Sequence, residues 1–243
     1  MRRNVTRTGA VRQFRHQRYA IKTWVNKLEG VPAFIVGNGP SLSECNPRLI
    51  KDYFSIGINR CYYWTGTQVS DTSKIGFDPT VLFWQDISFW NTEYHNIHNL
   101  QAIKLCRDIA DPKRQFLNFY LKGGGYKFGR YMNIFFGRGA SMPLSVQCAV
   151  ALGCRPLILL GCDCKRASDG RSSYWGENSF WLPHTLDACE KGLQFVQQEC
   201  PVPVISCSNN SYFPRQDLPA VCKELGNKYA LGRQFFVKRL LLS

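Results

Sequence analysis

The sequence predicts an open α/β sandwich, a parallel sheet with helices on both faces, preceded by a basic N-terminal arm. Three observations lead there. Short, uninterrupted apolar runs recur along the chain, helix-periodic segments lie between several of them, and most runs end in Gly, Asn or Asp. Continuous runs of this kind suit strands buried on both faces, and strand–helix alternation suits a parallel sheet.

Residues 1–30 read as the arm, partly helical. Val11, Phe14, Tyr19, Ile21, Trp24, Val25 and Leu28 fall at loosely helical spacing among arginines. Aromatics interleaved with Arg suit a phosphate backbone with exposed bases, and equally a helix packed on a core with its cations in water. The strand pattern begins after Val31. The first run, 33–36, ends in Gly37-Asn38-Gly39-Pro40-Ser41. The second, 54–58, ends in Asn59, and the third, 81–84, ends in Gln85-Asp86. A weaker fourth covers 102–106, a clear fifth covers 156–160 and ends in Gly161-Cys162-Asp163, and a sixth covers 202–206. Residues 141–152 are rich in Ala, Leu and Val and stop at Gly153, a residue suited to a helix C-cap. Leu186, Cys189, Leu193 and Val196 mark one face of a helix over 186–200, and Leu218, Val221, Cys222 and Leu225 mark another that stops at Gly226. Residues 64–80 and 119–139 have no clean period and read as excursions from the sheet. The division is an arm at 1–30, a catalytic domain at 31–213 and a helical segment at 214–243.

With 243 residues, 44% hydrophobic and 14% aromatic, the chain has the apolar mass for one sizeable core, which excludes global disorder. No apolar run approaches the roughly 20 residues of a membrane span, and the arm lacks the apolar stretch of a secretory signal. Eleven scattered cysteines with no CxxC pair, and only four histidines, fit reduced thiols in a cytoplasmic protein better than a zinc site. The expectation is therefore no metal and no tightly bound cofactor. The net charge of +14 implies a polyanionic partner. It is concentrated: Arg2, Arg3, Arg7, Arg12, Arg15, Arg18, Lys22 and Lys27 all precede Glu29, the first acidic residue. Arg12, Arg15, Arg18 and Lys22 are the candidate nucleic-acid contacts.

Ligands of an open parallel sheet bind beyond the carboxyl ends of the strands, so the residues ending each run are the candidates. Gly37 and Gly39 allow close backbone approach, Pro40 and Ser41 can open a helical turn, and the Asn38 amide can both donate and accept. The motif is neither GxGxxG nor a Walker loop. Asp86 lies between Trp84 and Trp90, and desolvation there raises a carboxyl pKa toward acid–base use; a helix N-cap is the competing reading, and Asp163 has the same two. His184 precedes a helix and is a candidate proton-transfer residue. His95 and His98 are three apart but have no third ligand.

The stretch FIVGNGPSL, residues 34–42, resembles the opening strand and loop of the bacterial lipooligosaccharide sialyltransferases. It also resembles the related group of Maf-type flagellin glycosyltransferases and MptE-like pyrophosphokinases. Asn59, the Ser-led alanine-rich stretch 141–153, LILLGCD at 157–163, and His184 with the helix after it are similar to further family features, in order. The resemblance implies a Rossmann-like nucleotide-sugar site without a metal. Gly37, Asn38, Gly39, Ser41, Asn59 and Ser141 would cradle the nucleotide, and His184 would deprotonate the acceptor hydroxyl. Met142 replaces a family glycine, Tyr174 is the one counterpart suggested for the tyrosines that hold the leaving phosphate, and the basic arm has no counterpart.

Charge and resemblance together give three readings. One is a nucleotide-sugar-dependent glycosyltransferase that modifies DNA bases, with Tyr62-Tyr63-Trp64 as a stacking loop. Another is a DNA glycosylase that flips a modified nucleotide into the same pocket, with Asp86 or Asp163 activating water and Asn38 orienting it. The third is a non-catalytic DNA-binding module on the same fold.

Overall fold

The computed structural model describes residues 21–66, 75–111, 115–129, 131–137, 139–174 and 183–242, with the side chains of 183 and 184 outside that description. The strands are β1 (Ala33–Val36), β2 (Ser55–Ile58), β3 (Val81–Trp84), β4 (Ile103–Arg107), β5 (Leu117–Lys122), β6 (Ile134–Phe136), β7 (Leu157–Leu160) and β8 (Val204–Ser206). They form one sheet in the order β6-β5-β4-β3-β2-β1-β7-β8, and every ladder is parallel. The helices are α1 (Ile87–Asn99), α2 (Ser141–Ala151), α3 (Pro183–Glu199), α4 (Leu218–Leu225) and α5 (Arg233–Leu241). The Rossmann-like α/β class read from the sequence is the observed one.

Successive residues of each central strand point to opposite faces, and both faces are covered. Ala33, Ile35, Phe83 and Leu159 join a core with α2, α3 and α5, which includes Leu144, Leu193, Val196 and Phe236. Phe34, Val36, Leu82 and Leu160 join the opposite core with Trp64, Phe89, Trp90, Ile97 and Val221. That is why β1, β2, β3 and β7 read as unbroken apolar runs. The expectation that 119–139 is an excursion is corrected: β5 and β6 are the last two strands on that side of the sheet. In β5 only Phe119 is buried, and β6 has three residues, so neither makes an apolar run.

α2 is the central helix and is buried on nearly every side, including Ser145 and Gln147. Small residues suit such a position because neighbours approach closely; a Cβ on Gly192 of α3 would lie 2.9 Å from Pro143. Ile21, Trp24 and Leu28 are fully buried in the first core, so this part of the arm packs as a segment of the domain. It is pinned along the end of α2, where the amides of Asn26, Leu28 and Gly30 donate to the carbonyls of Ala151, Leu152 and Gly153. Phe236 and Leu240 of α5 close the same core. Arg12, Arg15 and Arg18 lie outside the described residues, and Lys22 is exposed.

Candidate functional site

The chain builds outward from β1 to β6, then returns to the other side of β1 with β7. The strand order therefore reverses between β1 and β7, and the carboxyl ends of the strands around that reversal are where open parallel sheets take ligands. A cavity of about 560 Å³ opens there. Its walls are the loops after β1, β2, β3 and β7, the start of α2, and Thr185, Ala188 and Cys189 in the first turns of α3. Gly37, Asn38, Gly39, Asn59, Asp86, Ser141 and Asp163 all line it, from five separate stretches of sequence.

The two glycines have a different reason from the one the sequence suggested. A Cβ on Gly37 would lie 2.4 Å from the Gly161 carbonyl oxygen, and one on Gly39 would lie 2.3 Å from Asp163 Oδ2. The close approach they permit is to the loop after β7. Asp163 is 5% exposed, and its oxygens are engaged: Oδ2 accepts from the Ser41 amide at 2.8 Å, and Oδ1 accepts from Ser41 Oγ at 2.6 Å and the Asn209 amide at 2.7 Å. Burial pushes its carboxyl above the usual carboxylate range, and these donors oppose that. Asp163 is thus a strut among three loops, and Ser41 faces the strut; Ser41 is not on the cavity wall.

The two asparagines differ from these. Asn38 donates from Nδ2 to the Ile58 carbonyl at 2.9 Å, while its buried Oδ1 has no hydrogen-bond partner among the described residues. Asn59 sits at φ 48, a left-handed conformation that Asn tolerates better than most residues, and its buried Oδ1 also has none. Buried acceptors without donors are uncommon in folded proteins, and two beside one cavity mark a place for donor groups.

Asp86 occupies the N-cap position of α1 but makes no side-chain cap bond, and it is exposed at the rim. Partial burial raises its carboxyl above the usual range, opposed by Arg107 at the end of the neighbouring strand. Before it, Gln85 donates to the Gly139 carbonyl at 2.8 Å and fixes the approach to α2. Gln147 holds the end of β6 by bonding both the amide and carbonyl of Phe136. α2 starts at Ser141, behind the N-cap Ala140, which has no capping side chain, so its first N–H groups stand at the cavity. Met142 lines the cavity beside Ser141. His184 is in the first turn of α3; its side chain lies outside the described residues, and the next residue, Thr185, is on the wall.

Two further expectations are corrected. Tyr62, Tyr63 and Trp64 are buried, with both hydroxyls donating to Glu93 Oε2 and the indole donating to the Leu42 and Cys45 carbonyls, so they are core and not a stacking loop. Tyr174 is buried with its hydroxyl toward the Arg60 carbonyl. His98, for which no ligand set was expected, packs among Trp90, Tyr94 and Phe116. Among the described residues no group of three His, Cys, Asp or Glu side chains could hold a metal ion, and no helix is long and apolar enough to cross a membrane.

Sequence reasoning missed Arg60 and its anchor. Arg60 lines the cavity, with Nε donating to Glu93 Oε1 at 2.5 Å. Burial raises the Glu93 carboxyl, but hydrogen bonds from Tyr62, Arg60, Asn96 and Tyr63 outweigh it and hold the group below its ordinary value. Position beside Asn59 was the available signal for Arg60. Cys164 and Cys189, both on the cavity wall, were missed as well.

No protein-family model matches the chain, and no curated protein matches it in sequence. Among solved structures, a Maf glycosyltransferase from Magnetospirillum magneticum AMB-1 aligns with a TM-score of 0.52 at 14% identity, over 93% of this chain and 44% of that one. The sialyltransferase CstII from Campylobacter jejuni, in complex with the substrate analogue cytidine-5'-monophosphate, aligns with a TM-score of 0.47 at 16% identity, over 78% of this chain and 86% of that one. This chain spans less than half the length of the Maf structure. The likeness to the Maf structure is one of fold: both have an open, Rossmann-like α/β architecture.

Proposed function

We propose that the protein is a nucleotide-sugar-dependent glycosyltransferase whose acceptor is a base of DNA. The observation that carries the nucleotide is the pair of unpartnered, buried amide oxygens, Asn38 Oδ1 and Asn59 Oδ1, beside a cavity of nucleotide size at the reversal of strand order. They would accept from base N–H or ribose O–H groups. The uncapped start of α2 would face the phosphates, where helix N–H groups favour negative charge. In the transfer step the acceptor hydroxyl attacks the anomeric carbon. The bond from that carbon to the phosphate oxygen breaks, and its electron pair leaves with the nucleotide. The hydroxyl proton passes to a base, His184 or Asp86. The raised carboxyl of Asp86 suits that task near neutrality better than an ordinary aspartate.

Charge supports the polymeric acceptor. No acidic residue occurs between Asp111 and Asp163. Arg107, Lys122 and Lys127 stand at or just after the carboxyl ends of β4 and β5, the edge of the sheet that also carries the cavity. Lys127 Nζ lies 4.4 Å from the Phe136 ring centre and Lys122 Nζ 6.0 Å from it, so both ammonium groups gather at the end of β6.

The test is to incubate the protein with DNA carrying hydroxylated bases and a panel of nucleotide sugars, then digest to nucleosides for mass analysis. Sugar mass that appears only with a donor is the expected outcome. Abasic sites formed without a donor, or no product from any donor, would overturn the reading. Asn38→Ala should abolish transfer while changing unfolding free energy by less than about 1 kcal/mol. Neutralising Arg12, Arg15 and Arg18 should lower the salt dependence of DNA binding by roughly 0.9 in slope for each phosphate no longer neutralised.

A further inference from the structure

The stretch KGGGYKFGRY, residues 122–131, has no acidic residue and no Ala, Val, Leu, Ile or Met. It lies within a longer stretch, 112–162, that holds seven Lys and Arg and no Asp or Glu. Two of its rings turn onto α3: Tyr126 and Phe128 both stack on Phe195, with ring centres 5.4 and 4.8 Å apart. Phe195 is nearly buried, whereas Tyr126 and Phe128 are half-buried. These rings line a second cavity, of about 550 Å³, whose wall also carries Lys127, Lys191, Gln194, Gln198 and Glu199. Lys191, Gln194 and Gln198 share one face of α3 by their spacing. Lys127 Nζ lies 4.4 Å from the Phe136 ring centre. Tyr131, 61% exposed, is the most exposed aromatic ring among the described residues. A Cβ on Gly129 would lie 3.2 Å from the Phe136 ring and 3.9 Å from the Tyr131 ring, so the exposed ring stands beside that pair.

We propose that this second cavity, with Lys122 and Tyr131 beside it, binds a single-stranded segment of the DNA whose base enters the crevice. The inference rests on DNA as the acceptor and adds where the strand lies. The two cavities are joined. Tyr126 Oη accepts from the Ala140 amide at 3.4 Å, and Ala140 is on the crevice wall. α3 runs past both: Ala188 lines the crevice, and Gln194, about 9 Å further along the helix, lines the second cavity.

The chemistry of the wall selects a single strand. Unpaired bases have open faces that stack on aromatic rings, while the bases of a duplex are stacked on one another. Lys191 is held by Asp187 at 2.8 Å and Glu199 is acidic, so the phosphate contacts fall to Lys122 and Lys127, whose ammonium groups both lie near Phe136. Gln194 and Gln198 are exposed amides that both donate and accept, which suits the edges of unpaired bases. Gly125 has no internal reason to be glycine: its backbone is not left-handed, and a Cβ there would meet nothing within 4 Å. A sugar–phosphate backbone lying close along the peptide supplies that reason.

The experiment titrates the full chain into a fluorescein-labelled thymidine oligomer and reads anisotropy at several salt concentrations, with no sugar donor present. The expected result is binding of the single strand in preference to a duplex. Tyr131→Ser, at an exposed position that the fold does not need, should weaken it on the order of tenfold. Lys122→Gln with Lys127→Gln should lower the slope of log K on log salt by roughly 1.4, two phosphates' worth for a single strand. Gln194→Glu, on the exposed face of α3, should weaken binding roughly threefold at low salt. Duplex bound as tightly as single strand, displacement of the oligomer by polyglutamate of equal charge, no binding of any oligomer, or variants that bind as the parent does would each overturn the proposal. Failure here is separable from failure of the transferase reading. Strand binding that the variants weaken, with no transfer from any donor, leaves this site standing and removes the transferase. Transfer by a protein whose strand binding the variants leave unchanged does the reverse.

Discussion

β7 and β3 each deliver an aspartate to the cavity, and the two junctions differ in everything else. At the end of β7, Asp163 is buried under three donors from two other loops, and glycines at 37 and 39 let those loops close on it. At the end of β3, Asp86 is exposed, makes no cap bond, and feels Arg107 at a distance. The same residue type after the same kind of strand is a strut in one place and an open rim in the other. What separates them is the number of backbone donors that neighbouring loops bring, which depends on topology: β7 sits beside β1 at the centre of the crevice, whereas β3 is two strands away.

The comparison can be broken most forcefully at Gly39. Gly39→Ala puts a methyl 2.3 Å from Asp163 Oδ2 and 2.7 Å from the Gly161 carbonyl oxygen. Its φ of −66 is ordinary, so the cost is steric, on the order of 3 kcal/mol. Urea unfolding measures this, and a midpoint equal to the parent's would mean the loops can separate freely. Asp163→Asn should cost less, roughly 2 kcal/mol, because either orientation of the amide sets its NH₂ against a donor. Chemical denaturation at neutral pH checks it, and an unchanged stability would remove the strut.

Asp86→Asn should have the smallest effect on folding, with a thermal midpoint equal to or slightly above the parent's. The sign follows from the raised carboxyl. The folded protein keeps this proton to higher pH than the unfolded chain, so parental stability falls as pH rises from the unfolded value through the folded one. The variant lacks that decline, and parallel melts across the acid range compare the two. A large loss of stability in Asp86→Asn would make the rim a second strut and erase the contrast.

Much of this was legible from residues alone. β1, β2, β3 and β7 are buried on both faces, so their runs are unbroken and their polar ends point to the crevice. β5 was not legible, since an edge-side strand with one buried residue has no need of an apolar run. α1 was obscured by Glu93, which occupies the buried face with Phe89, Trp90 and Ile97 and is stabilised there by Asn96 on the same helix and by Arg60, Tyr62 and Tyr63 from the segment after β2. Asn38, Asn59 and Asp86 were found because strand ends are a local signal. The state of Asp163 and the Arg60–Glu93 pair depend on which elements meet, and no local pattern records that.

The anchoring of residues 26–30 along the far end of α2 has a geometric consequence. α2 begins at the cavity and runs away from it for eleven residues, about 16 Å of helix. Residues 26–30 therefore sit one helix length from the crevice, and none of them lines it. Substitutions that loosen this clasp should lower the unfolding midpoint while leaving the affinity of any small molecule held in the crevice unchanged.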